Sequence, residues 1–137
     1  MQRQFSRNIN SLEKVFDFLH GITDEHAVDK DTLSDLDLVV EEIFTNMVKY
    51  NALAKEHISI SVETSPHHIS VCLVDPNSKP FDLTKTQEVN LNMPLRDRKP
   101  GGLGIHLVKR LMDSVQYQHR DGKSIVTVTK RLERPNV

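Results

Sequence analysis

Apolar residues change their spacing several times along this chain, and each change marks an element. Gln2–Arg7 reads as a short first strand. Asn10 or Ser11 then precedes Leu12, Val15, Phe16 and Leu19, the spacing of a capped amphipathic helix. The charged stretch from Thr23 to Lys30 interrupts that pattern. Leu36, Val39, Val40, Ile43, Met47 and Tyr50 follow at steps of three and four. They lay one apolar stripe along a second helix, with Asp31, Thr32 and Ser34 as capping candidates. From His57 the period drops to two. Ile58, Ile60 and Val62 alternate with serines, and Ile69, Val71 and Leu73 alternate with Ser70 and Cys72 across a turn at Ser65–His68. This is the pattern of an antiparallel hairpin.

From Asp75 to Pro100 no period holds. A stretch of that length inside a compact domain is usually functional or mobile. Glycines then cluster at 101, 102 and 104, followed by a helical pattern through about Met112. Two last strands, Ser114–His119 and Ser124–Lys130, flank Asp121-Gly122, a strong signal for a two-residue hairpin turn. No internal repeat or low-complexity tract interrupts this order. Strand, two helices, two strands, helix and two strands predict a two-layer α/β (α+β) sandwich. Its sheet is expected to be mixed but mostly antiparallel, covered on one face by helices.

Composition narrows the function. The chain has 137 residues, enough for one domain with a real core, and the expectation is a single domain over 1–137. A formal net charge of −1 gives no broad electrostatic footprint for nucleic acid. No stretch approaches the roughly 18 apolar residues of a membrane span, and Met1–Arg7 lacks the apolar run of a signal peptide. The single cysteine, Cys72, cannot form an internal disulfide, so a cytoplasmic location is expected. The seven histidines do not fall at zinc-ligand spacing.

Two features carry candidate chemistry. Three of the five glycines lie within four positions, at Gly101, Gly102 and Gly104. Glycine costs about 0.5–1 kcal/mol relative to alanine inside a regular element, so the cluster needs a reason. One reason is a turn before a helix. The other is a backbone that approaches a phosphate with its free N–H groups. Upstream, Glu42 and Asn46 are four residues apart on the second helix and share a face, on the shoulder of the apolar stripe. They suit either a solvated flank or a site where an amide oxygen holds a hard cation and a carboxylate orients a hydroxyl. Elsewhere, Cys72 suits a small residue on the sheet, and His106 suits an exposed helix position or one that reaches a phosphate. The aspartates from Asp17 to Asp37 suit a solvated rim or a contact for a basic partner.

Taken in order, Glu42-Ile-Phe-Thr-Asn46, the segment Asp75 to Asp82, the long loop and Gly101-Gly-Leu-Gly-Ile-His-Leu-Val-Lys-Arg-Leu-Met112 resemble the GHKL ATPase superfamily. Within it, the match is to the small anti-sigma-factor serine-protein kinases, over about residues 3–132. The resemblance implies a Bergerat-type ATP-binding fold, with ATP and Mg²⁺ as cofactors. It implies that Asn46 coordinates Mg²⁺ and Glu42 is the catalytic base. Gly101, Gly102, Leu103 and Gly104 would shape the backbone around the phosphates. Thr127 would lie beneath the adenine, and Asp75 would accept from its exocyclic amine. Residues 83–100 would form an ATP lid carrying Arg96, Arg98 and Lys99.

The implied function is an ATP-dependent serine-protein kinase acting as an anti-sigma or partner-switching factor. Its implied partners are a small anti-anti-sigma-like antagonist, phosphorylated on a serine, and a sigma factor. A homodimer is expected from the resemblance, and neither nucleic acid nor membrane is an expected partner. One segment departs from the pattern. The family's adenine box has a glycine where Ser78 stands, and Asp75 lies one residue further from Phe81 than the box requires. The departure motivates an alternative: a non-catalytic partner-binding module of the same fold with weak or lost nucleotide binding.

Overall fold

The computed structural model describes residues 1–50, 54–76 and 102–132, the last segment by its backbone alone over 102–105. β1 (Gln2–Phe5) leads through a single 3₁₀ turn (Ile9–Ser11) into α1 (Leu12–Glu25) and α2 (Lys30–Tyr50). The hairpin β2 (Ile58–Thr64) and β3 (His68–Asp75) follows, then α3 (Gly102–Leu111) and the hairpin β4 (Ser114–Arg120) and β5 (Lys123–Arg131). The five strands form one sheet in the order β1-β2-β3-β5-β4, and every pairing is antiparallel. The two-layer α+β sandwich is therefore present, with a sheet antiparallel throughout.

Alternation decides which face the helices cover. Ile58, Ile60 and Val62, then Ile69, Val71 and Leu73, then Val126 and Val128 are all buried in one cluster with α1 and α2. Their intervening neighbours Ser59, Ser61, Ser70, Cys72, Thr127 and Thr129 lie on the other, half-buried face. Phe5 ties the edge strand β1 to the helical layer, with its ring centroid 5.7 Å from that of Phe18 on α1. At the far hairpin, Asp121 and Gly122 take φ of 56° and 74°. Two successive positive values make the type I′ turn that suits the right-handed twist of the flanking strands.

Local chemistry sets the helix ends, and here the structure departs from the sequence pattern. Ser11 occupies the cap position of α1 but makes no capping hydrogen bond. Its hydroxyl lies 2.7 Å from that of Ser6, and it is Asn8 that accepts from a backbone N–H, that of Asn10 at 2.8 Å. α1 also runs to Glu25, three residues into the charged stretch, before Ala27 turns the chain with φ of 54°. α2 begins earlier than its capping candidates Asp31, Thr32 and Ser34. Asp29 caps it instead, accepting from the Thr32 N–H at 3.1 Å and the Thr32 hydroxyl at 2.6 Å.

At the C-terminal ends, basic side chains take up carbonyls left without helical partners. Lys130 Nζ donates to Leu111 O on α3 at 2.7 Å, and Arg7 Nη1 donates to Met47 O on α2 at 3.2 Å. No helix among the described residues is long and apolar enough to cross a membrane.

Candidate functional site

α2 carries the first half of the site. The sheet and both other helices pack against it, so its buried arc extends beyond the apolar stripe to Asn46. Asn46 is 3% exposed, deeper than the stripe's shoulder, while Glu42 one turn earlier is half-buried. The two are joined: Asn46 Nδ2 donates to Glu42 Oε1 at 3.1 Å. That bond orients both groups. One of the amide's two N–H donors is used on the carboxylate, and its carbonyl oxygen is an acceptor that can be offered to a ligand.

The donor set fits Mg²⁺. This ion keeps several waters and is commonly held by one or two protein oxygens plus substrate phosphates rather than by a protein cage. Among the described residues no cluster of three or more His, Cys, Asp or Glu forms such a cage.

The second half lies at the end of β3. Asp75 is 4% exposed and faces the helical layer. Its side chain forms an ion pair with Arg7, whose side chain is itself 3% exposed. Arg7 Nη2 donates to Asp75 Oδ1, while Nη1 and Nε reach Met47 O and Glu56 O, each at 3.2 Å. Met47 follows Asn46 directly, so one guanidinium bridges the helix that carries Asn46 and the strand that carries Asp75. Removing one member of such a buried pair strands the other charge, at a cost of about 3–5 kcal/mol.

The register separates Thr127 from this group. Asp75 pairs with Ser124, and Thr127 pairs with Cys72 and Gln116. Three residues is an odd offset along a strand, so Ser124 faces the helices beside Asp75 and Thr127 faces the opposite side of the sheet. The placement of Thr127 beneath a base bound against Asp75 is therefore corrected. Ser124, 6% exposed and 3.3 Å from the Tyr117 hydroxyl, is the β5 residue beside Asp75 on the helix-facing side.

The glycine segment enters α3 at Gly102, and α3 packs along α2. Gly102 and Gly104 thus lie in the first turn, with backbone N–H groups that have no helical partner. Gly101, the side chain of Leu103 and the segment 83–100 expected to form a lid lie outside the described residues, as do Ser78 and Phe81 of the altered segment.

Two residues escaped the sequence reading. Ser124 gives little signal by itself: it is polar and stands before Ile125 on the opposite face, although the Val126-Thr127-Val128-Thr129 alternation puts it on the face of the valines. Arg7 carries no local signal at all: its partner is 68 positions away.

With this geometry in view, comparison with known proteins gives a consistent result. The family model for the histidine kinase-like ATPase domain matches residues 5–130. The chain belongs to this family. The serine-protein kinase RsbW of Listeria monocytogenes serovar 1/2a is 31% identical over 124 residues, covering 87% of this chain and 78% of that protein.

Among solved structures, the RsbU and RsbW domains of Rv1364c from Mycobacterium tuberculosis superpose with a TM-score of 0.72 at 16% identity. That match covers 98% of this chain, which spans only 33% of the larger one. The SiaB–SiaC complex from Pseudomonas aeruginosa gives 0.63 at 12% identity, covering 96% of this chain and 89% of that one. At such identities the structural likeness shows a shared fold.

Proposed function

We propose that this chain is an ATP-dependent serine-protein kinase that acts as an anti-sigma or partner-switching factor. The observation that carries the reading is the Asn46–Glu42 hydrogen bond on α2, with a helix opened by glycines packed alongside. Its setting in a family whose curated relatives include serine-protein kinases supports the assignment. The substrate is a serine hydroxyl of a small antagonist protein. A sigma factor is the alternative partner, and the setting is the cytoplasm, with a homodimer as the working assembly.

Each residue has a chemical task in this reading. Glu42 accepts the proton of the attacking serine hydroxyl and aims its oxygen at the γ-phosphate; Asn46 holds the carboxylate for that task. The carbonyl of Asn46 would hold Mg²⁺, which neutralises phosphate charge when bound. The first-turn N–H groups of α3, with Gly101 and Leu103, line the phosphates. Ser124 and Asp75 meet the base.

The test is phosphoryl transfer from labelled ATP to candidate antagonists, with ATP·Mg²⁺ binding measured in parallel. Glu42→Gln is expected to lower transfer by about 10²- to 10⁴-fold while nucleotide affinity changes by less than about threefold. Transfer at the wild-type rate removes Glu42 from the mechanism. A wild-type chain that shows no binding heat at millimolar ATP·Mg²⁺ is instead a partner-binding module of the same fold.

A further inference from the structure

Arg7 stands between β1 and the first helical turn, on a segment that contributes no other group to the site. Its side chain is nevertheless buried, with three donors directed to three separate parts of the fold: Asp75, Met47 O and Glu56 O. A guanidinium has five donors and no acceptor, and it stays charged at any ordinary pH. Any oxygen bonded to it must therefore accept.

We propose that Arg7 is a positioning residue of the nucleotide pocket and sets its base preference. It fixes the Asp75 carboxylate as an acceptor-only group, so the pocket takes a purine that presents an exocyclic amine there and rejects one that presents a carbonyl. The inference rests on the nucleotide-site reading above and extends it to a residue outside the matching motifs.

The chemistry is one of matched and mismatched polar edges. Adenine offers an amine to a carboxylate and gains a hydrogen bond. Guanine offers O6, which sets acceptor against acceptor inside a buried site. A carboxylate that Arg7 no longer holds can turn aside from the base, and the distinction between the two edges is lost. The competing account makes Arg7 only a staple that joins the end of α2 to β3. Loss of a staple lowers stability and weakens both nucleotides together. Loss of a positioning group changes their ratio.

The experiment measures dissociation constants for ATP·Mg²⁺ and GTP·Mg²⁺ by calorimetry on the full chain, with thermal melts of each variant. The wild type is expected to prefer ATP by at least about tenfold, the scale of one mismatched buried polar group. Arg7→Met is expected to reduce that ratio about tenfold, and Arg7→Lys, which keeps a charged donor, to hold it within about threefold.

An Arg7→Met, Asp75→Asn double variant strands neither charge and serves as the folded comparison should Arg7→Met alone melt. Its ATP-to-GTP ratio is expected to equal that of Asp75→Asn within about twofold, because Arg7 acts through Asp75. A ratio unchanged in Arg7→Met, or a double variant that departs from Asp75→Asn, overturns the proposal. A wild type that binds neither nucleotide overturns the nucleotide-site reading and this inference with it. A wild type that prefers ATP, with Arg7→Met preferring it equally, overturns this inference alone.

Discussion

Asp29→Ala tests whether the start of α2 is held as the structure describes. Asp29 accepts from the N–H and the hydroxyl of Thr32, at 3.1 and 2.6 Å, and Thr32 is buried. Loss of a carboxylate cap costs about 1 kcal/mol, and the stranded hydroxyl adds about 0.5–1 kcal/mol, a low value because it can rotate to a helical carbonyl. The expected loss is therefore about 1.5–2 kcal/mol. The unfolding entropy of a 137-residue chain is about 0.29 kcal/mol/K, so the melting temperature should fall by about 5–7 °C.

Asp29→Asn retains an acceptor and should lose less than about 2 °C at neutral pH. The hydrogen bond from the Thr32 hydroxyl, with backbone N–H groups in support, holds the Asp29 carboxyl below its ordinary value of 3.8. A lowered value in the folded state means the ionised form contributes stability above 3.8, and this is lost as pH falls through the folded value. Wild type should therefore approach Asp29→Asn in stability as the pH falls below 3.8, and stand furthest above it near neutrality.

The assay is thermal unfolding followed by circular dichroism across pH, with nucleotide binding measured on the same samples. Glu42 lies 13 residues along the helix, about 20 Å away, so nucleotide affinity should stay within about twofold. A melting shift below about 2 °C in Asp29→Ala, or an affinity that falls in step with stability, refutes the reasoning.

Two further substitutions probe the site. Asn46→Ala should weaken ATP binding about tenfold or more in Mg²⁺ and much less in a chelator, and equal losses in both conditions would remove Asn46 from the metal. Thr127→Val and Ser124→Ala separate the two sheet faces. The first should leave ATP affinity unchanged and the second lower it by about 3- to 10-fold, measured by calorimetry; the reverse order would contradict the strand register.

Periodicity and turn chemistry made most of the architecture legible. The stripe from Leu36 to Met47 could form only a helix with a buried face, while Tyr50, expected to continue it, is 46% exposed at the helix end. The alternation at Ile58–Leu73 and the Asp121-Gly122 turn specified two hairpins, because positive φ at two successive residues is a local demand met by local residue types. The four-residue spacing of Glu42 and Asn46 likewise fixed their contact before any tertiary neighbour was known.

Other features depended on neighbours far along the chain. The apolar pattern alone placed Asn46 at the stripe's edge; packing of the sheet and the other helices against α2 buried it. On β5 the alternation of Val126 and Val128 with Thr127 and Thr129 indicates the buried face, but only pairing with β3 sets Ser124 beside Asp75. The Arg7–Asp75 pair joins positions 68 residues apart. Short-range order follows from backbone geometry and side-chain spacing, which a sequence displays directly. The neighbours of a strand residue and the partner of a buried charge follow from which surfaces close on each other, and only the assembled sheet and helices decide that.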